Sequence, residues 1–274
     1  MLKNILKKIL GKNNILRLKK LYWSITGNYL ISKPILTKDA YIKIHKDFVS
    51  KIKKDSFVNE YFGPNEINFI NNLALKTQVT KKNSETNYFH GFIIMKFLMD
   101  YLKNNKDNIT IFETGTARGF SSIAMSFILK KFNNNHIIHT LDIIPHNKKI
   151  LWNCISDLES GKISRKDLLS DYSKYLKNIN FICGISNDIL NKLKIDRINF
   201  AFLDGSHDYD DVKLEFNYVN KRNNSGDMII LDDYTPKFFD GIVKFTHEIK
   251  KQNIYEVNIM NNNKKRGYVV LKKK

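Results

Sequence analysis

Apolar and polar positions change rhythm near residue 105 of this 274-residue chain. Beyond it, short apolar runs alternate with longer stretches of helical period. "NITIFET" (108–114), "HIIHTLDI" (136–143), "INFICGIS" (179–186), "RINFAFLDG" (197–205) and "DMIILDDY" (227–234) read as strands. "GFSSIAMSFILKKF" (119–132), "NDILNKL" after the third strand, "DYDDVKLEFNYVNKR" (208–222) and "GIVKFTHEIKK" (241–251) read as helices. The 208–222 segment has acids in its first turn and bases in its last, as the helix dipole favours. Gly226 then suits a helix stop. "YEVNIM" and "YVVLKKK" around "NNNKKRG" read as a closing hairpin. Upstream, "GPNEINFINNLALKT" (63–77) and "HGFIIMKFLMDYLKN" (90–104) read as helices, joined through the polar "TKKNSETNY" (80–88).

Apolar strands alternating with helices predict an α/β fold: a Rossmann-like doubly wound sheet, mostly parallel, covered on both faces. The hairpin adds an antiparallel strand at or near one edge. Residues 1–55 read as a basic helical extension and residues 56–274 as one domain, with its core over about 86–274. No internal repeat is evident. Residues 145–178 are longer than an ordinary crossover. In that insert Trp152, Arg165, Asp171 and Tyr172 suit a substrate lid, a satellite core or a dimer surface equally. In sheets of this kind ligands sit at the carboxyl ends of the strands, beside the switch in strand order. Every polar motif considered below falls at such an end.

Composition adds constraints. With 42% apolar residues, the chain can bury a core. Cys154 and Cys183 lie in apolar stretches and read as reduced core thiols of a cytoplasmic protein, not as a disulfide framework. The net charge of +19 accompanies a bias toward Lys, Asn and Ile. It fits a diffusely basic surface, or an anionic partner such as a membrane, an acidic glycan or a nucleic acid. At the N-terminus Leu2, Ile5, Leu6, Ile9 and Leu10 fall on one helical face, with Lys3, Lys7 and Lys8 largely off it. That pattern is neither a signal peptide nor a spanning helix. Residues 1–30 suit either peripheral membrane contact, with Tyr22 and Trp23 as anchors, or docking on the domain or a second subunit.

The loop "IFETGTARGF" (111–120) is the first candidate site. Counted from Gly115, its spacing fails the dinucleotide fingerprint, and no G-K-[ST] follows for a P-loop. An acid followed by small residues at alternate places, as Glu113, Gly115, Ala117 and Gly119, resembles the class I S-adenosylmethionine-dependent methyltransferases. The resemblance covers roughly residues 86–274. It implies that Gly115, Thr116, Ala117 and Gly119 meet the cofactor's amino-acid tail and that Glu113 supplies negative charge near its cationic end. Asp142 ends the second strand, where a carboxylate can accept bonds from ribose hydroxyls. The same family binds its ribose there. By resemblance Ser186, or its neighbours Gly184 and Asn187, contacts the adenine. An N-cap role explains Ser186 or Asn187 as well.

The fourth strand ends "AFLDGSHDY" and the fifth "IILDDY". As neighbours, about 4.8 Å apart, they would bring Asp204 toward Asp232 and Asp233. Three converging carboxylates repel, and a hard divalent cation relieves that; oxygen ligation favours Mg²⁺. These ends resemble the metal-dependent O-methyltransferases of the macrocin and mycinamicin sugar type and the cephalosporin-hydroxylase-like group. The resemblance implies Asp204, Asp232 and Asp233 as metal ligands, Asp204 also beside the cofactor, and His207 as general base. Simpler roles fit too: a turn at Asp204–Gly205, capping or packing by His207, and loop bonding by the Asp pair.

The expected activity is O-methylation of a hydroxyl on a small molecule or saccharide, from a homo-oligomeric cytoplasmic enzyme with possible membrane contact. The alternatives are a nucleic-acid methyltransferase and a catalytically idle binding member of the fold. The first is disfavoured because no N/D-P-P-Y/F segment follows the fourth strand.

Overall fold

The computed structural model describes residues 12–26, 36–80, 86–105, 108–132, 135–236, 238–262 and 266–274. Five helices come first: α1 (Lys12–Thr26), α2 (Lys38–Ile52), α3 (Ser56–Tyr61), α4 (Pro64–Thr77) and α5 (His90–Asn104). Then follow β1 (Ile109–Thr114), α6 (Phe120–Lys131) and β2 (His136–Asp142). The insert carries the short helices α7 (Ser156–Ser160), α8 (Arg165–Leu168) and α9 (Ser173–Leu176). The chain continues through β3 (Ile179–Cys183), α10 (Ser186–Ile189), β4 (Phe200–Leu203), α11 (Tyr209–Asn220), β5 (Met228–Leu231), α12 (Asp240–Gln252), β6 (Tyr255–Asn262) and β7 (Arg266–Lys273). The predicted amphipathic segment over residues 2–10 lies outside the described residues.

The strands form one sheet in the order β3-β2-β1-β4-β5-β7-β6. The first five are parallel: Ile111 lies opposite Ile138 on one side and Phe200 on the other. Strand order reverses between β1 and β4, so the rim above Thr114 and Leu203 is the switch point where ligands settle. The hairpin lies antiparallel at one edge, as expected. Its second strand, β7, inserts antiparallel beside β5, with Leu231 opposite Val269, and β6 takes the outer place. Val269–Leu271 are buried, and an apolar strand of that kind cannot stand at an open edge.

Alternation with period two splits the strands between two cores. Ile111, Phe200, Phe202, Ile230 and Val270 pack under α5 and α6. Phe112, Ala201, Leu203, Ile229 and Leu271 face α11 and α12. Helix α2 is tied into the first of these layers. Thr37 caps it by accepting from the Ala40 amide at 3.3 Å, and Phe48 packs on Tyr88 at 4.3 Å. His45 Nε2 lies 2.8 Å from the Asn71 carbonyl of α4. Residues 38–52 therefore pack as part of the domain.

The insert closes its own small core. Ile144, Ile150, Trp152, Cys154 and Leu168 cluster together, and Trp152 is fully buried. Its indole N–H donates to the Ile163 carbonyl at 2.9 Å, and Asp157 accepts from the Trp152 amide at 2.9 Å. Of the three roles the sequence left open for Trp152, the satellite core is the one observed. Cys183 departs from expectation: it is exposed at the end of β3, while Cys154 is buried. β3 is an outer strand of the sheet, and the exposed thiol donates to the Ile143 carbonyl at 3.6 Å.

Trp152→Ala is expected to cost about 3–5 kcal/mol, because it empties a packed cluster. Urea denaturation measures this. An unchanged midpoint would mean that the insert is a loose lid.

Candidate functional site

The glycine loop is held by its neighbours on all sides. Gly115, at φ 86°, lies so close to β4 that a Cβ there would stand 2.1 Å from the Asp204 carbonyl oxygen. What approaches this glycine is the chain itself, across the switch point. Ala117, also left-handed at φ 44°, aims its amide at Asp142 Oδ2, 2.6 Å away. Asp142 Oδ1 accepts from the Ile144 amide at 2.7 Å. The carboxylate thus fixes the loops after β1 and β2 against each other. It stays half-exposed, and an ionised carboxylate has about four acceptor sites, so further donors can still bind.

Glu113 lies deeper than a cofactor contact needs. It is fully buried, and its two oxygens accept from Ser121 and Ser122 at the start of α6. Burial pushes its carboxyl above the usual range, against those hydroxyl bonds. It ties strand to helix underneath the loop. Thr116 is buried too, its hydroxyl 2.5 Å from that of Thr140. Ser186 donates to Glu215 at 2.7 Å, and Thr114 donates to the other oxygen of the same carboxylate at 2.8 Å. Glu215, buried on α11, therefore bridges the ends of β1 and α10.

Arg165 is the insert's contribution, and it is 1% exposed. Its Nε donates to the Ala117 carbonyl at 2.8 Å and its Nη2 to the Ile144 carbonyl at 3.2 Å. The guanidinium lies over Trp152 and Phe181, 5.6 and 5.7 Å from the ring centres. Arg118 donates its Nε to the Trp152 carbonyl at 2.7 Å. The insert thereby braces the glycine loop. Tyr172 is buried in the main core, and Asp171 pairs with Lys76.

Across the switch point stand the acids. Asp204, His207 and Asp233 each offer a ligand atom within 4.8 Å of the others. His207 Nε2 is 3.4 Å from Asp233 Oδ2, and its ring lies 4.2 Å from that of Phe239. Asp232 stands apart from this trio, contrary to the expected ligand set. It is fully buried and paired with Arg266, whose Nε donates to Oδ1 at 3.1 Å and whose Nη2 holds Oδ2. The reason is local. Asp233 takes a left-handed turn at φ 55°, which sends two consecutive carboxylates different ways. The same Arg266 Nε reaches Asp233 Oδ1 at 2.8 Å.

One guanidinium so serves three acids. Burial pushes Asp232 up, yet Arg266 more than offsets it and holds the carboxyl below its usual range. Asp204 goes the other way. Burial and the charges of Asp232 and Asp233 raise it well above the usual range, and Arg266 only partly compensates. Tyr268 on β7 is buried with its hydroxyl lacking a hydrogen-bond partner among the described residues.

A family model described as a methyltransferase domain matches residues 112–234, the stretch from the glycine loop to the paired acids. Residues 112–234 are thus similar to a methyltransferase domain, and the sheet order is compatible with that likeness. Solved methyltransferase structures share the fold. The O-methyltransferase NovP superposes with a TM-score of 0.52 at 14% identity, over 84% of this chain and 99% of its own. TomG from Streptomyces achromogenes, an O-methyltransferase solved with its methyl donor, gives 0.52 at 14% identity, over 87% and 99%. An O-methyltransferase from Bacillus cereus, solved with S-adenosylhomocysteine, gives 0.52 at 14%, over 86% and 100%. At these identities the likeness is one of fold. No curated protein matches the sequence.

The sequence reading missed Glu215, Arg266 and Tyr268; it singled out Arg165 in the insert, but not as a brace of the glycine loop. Glu215 sits mid-helix among other charges, where no local signal separates it from a solvated residue. Arg266 was legible only as part of a basic turn, because the placement of β7 beside β5 is a long-range outcome.

Arg266→Ala should cost about 3–5 kcal/mol by leaving Asp232 buried and unpaired. Replacing both residues with apolar ones should recover most of that loss. A double-mutant cycle by chemical denaturation tests it; additive effects would show that the pair does not act as a unit.

Proposed function

We propose that this methyltransferase transfers the methyl group to a hydroxyl of a small molecule or saccharide, assisted by a divalent cation such as Mg²⁺. The observation that carries the reading is the under-compensated acid trio beside the glycine loop. Asp204 and Asp233 converge with His207 at 4.8 Å or less, and their neighbour Arg266 is already engaged by Asp232. A site that raises Asp204 this far is one where an added cation restores the ionised carboxylate. Two carboxylates suit a hard cation, which lowers the pKa of a hydroxyl bound to it.

The donor set on the other side suits an adenosine bearing an amino-acid tail. Half-exposed Asp142 would take the ribose hydroxyls, Ser186 and Asn187 would border the base, and the backbone of 115–119 would meet the tail. S-adenosylmethionine supplies a methyl group on a sulfonium, a leaving group that needs no protonation. When bound, the cofactor would pass that methyl to an acceptor oxygen and leave as the neutral thioether, so the chain's own part would be to hold the acceptor in line and take its proton. The proton must leave the acceptor oxygen. His207 is the base in reach, oriented by Asp233 at 3.4 Å and by Phe239. Phe238, 76% exposed in the same loop, offers an apolar face to the carbon side of an acceptor.

Incubation with methyl-labelled cofactor and fractionated cell extract tests the reading. Label should enter small hydroxylated compounds or saccharides as an alkali-stable ether, and EDTA should abolish it. His207→Ala should lower kcat by about 10²–10⁴-fold. Label in RNA, or full turnover in EDTA by an Asp233→Asn variant, would overturn the acceptor class and the cation respectively.

A further inference from the structure

Helix α1 has no part in the chemistry above, yet it presents a surface that needs an explanation. Leu18, Leu21, Tyr22 and Ile25 recur at helical spacing and form one stripe about 100° wide. All four are exposed, Leu18 at 56% and Ile25 at 76%. Arg17 and Lys19, both exposed, flank the stripe. Nine Lys and Arg residues precede Asp39, the first acid in the sequence. The apolar-basic pattern also runs through residues 2–10.

The helix has a position as well as a character. Arg17 Nη2 lies 2.5 Å from Asp188 Oδ1, and Asp188 shares α10 with Ser186. The stripe-bearing helix therefore runs beside the rim proposed for the adenine.

An apolar stripe alone would take a second copy, a partner helix or a lipid surface, and the charge discriminates among them. A second copy would bring another run of nine cations to within a Debye length of about 8 Å, and the two would repel. A nucleic acid would satisfy the cations and leave the leucines in water. An anionic bilayer satisfies both, with its acyl boundary under the stripe and its phosphates against the flanks. Among the described residues no helix is long and apolar enough to cross a membrane, so the contact would lie in the interface plane.

We propose that α1 docks this methyltransferase on an anionic lipid surface, stripe inward, with the cofactor rim alongside. Co-sedimentation of the full chain with vesicles tests it, comparing phosphatidylcholine alone with phosphatidylcholine containing phosphatidylglycerol. Binding is expected only to the anionic vesicles and should weaken as salt is raised. The combined Leu18→Ser, Leu21→Ser and Ile25→Ser variant should lose at least about tenfold in partitioning, since three apolar side chains leave the interface. Its melting temperature should not fall, because those positions are exposed. Lys19→Glu should weaken binding to a smaller degree. Equal binding to neutral vesicles, or retention of binding by the triple variant, would overturn the proposal. So would capture by RNA but not by vesicles, or a dimer that the triple variant abolishes in a chain that ignores vesicles.

Discussion

Among the described residues one guanidinium, that of Arg266, stands against the acids at the tips of β4 and β5, and much of the site follows from that. Asp204 and Asp233 converge there with His207, Asp232 stands apart from them, and Arg266 pairs with both Asp232 and Asp233. It is committed first to Asp232, which is fully buried and could not stay ionised alone. Asp233 shares its Nε, and Asp204 is left raised. This arrangement needs β7 beside β5, since that strand delivers Arg266. The C-terminal hairpin is therefore a structural condition of the acid site as well as the end of the sheet.

The other half of the rim is built by close approach instead of charge. Gly115 admits the Asp204 carbonyl where no side chain would fit, so the glycine loop and the acid strand are in direct contact. Asp142 and Arg165 then set the loop's outer face, one by accepting the Ala117 amide and the other by donating to its carbonyl. A residue gripped at both its amide and its carbonyl gives a rigid edge. That rigidity is what a transfer reaction needs, because holding nucleophile and methyl in line is most of the work.

The fold was largely legible in the sequence because its strands are short, apolar and separated by strong helical periodicity. β1, β2, α5 and α6 lie within a residue or two of their expected bounds. That the hairpin lies antiparallel at or near an edge was legible too; that β7 is the strand beside β5 was not, since pairing between Leu231 and Val269 joins residues far apart in the chain. Within the site, Asp204, His207 and Asp233 were recognisable from two motifs at strand ends. The separation of Asp232 from Asp233 was not, because it depends on one left-handed residue and on an arginine from the hairpin. Glu113 shows the same limit: a motif marks the position but not its depth. Residues 1–55 read as a basic extension, yet within them α2 buries Tyr41 and Ile52.

A crystal structure of the chain grown with S-adenosylhomocysteine and Mn²⁺, with anomalous data collected at the manganese edge, tests the central claim most directly. The account predicts an anomalous peak between the Asp204 and Asp233 carboxylates and a ribose whose hydroxyls meet Asp142. Density for the nucleoside elsewhere, or an acid trio closed on itself by Arg266 with no metal peak, would contradict it.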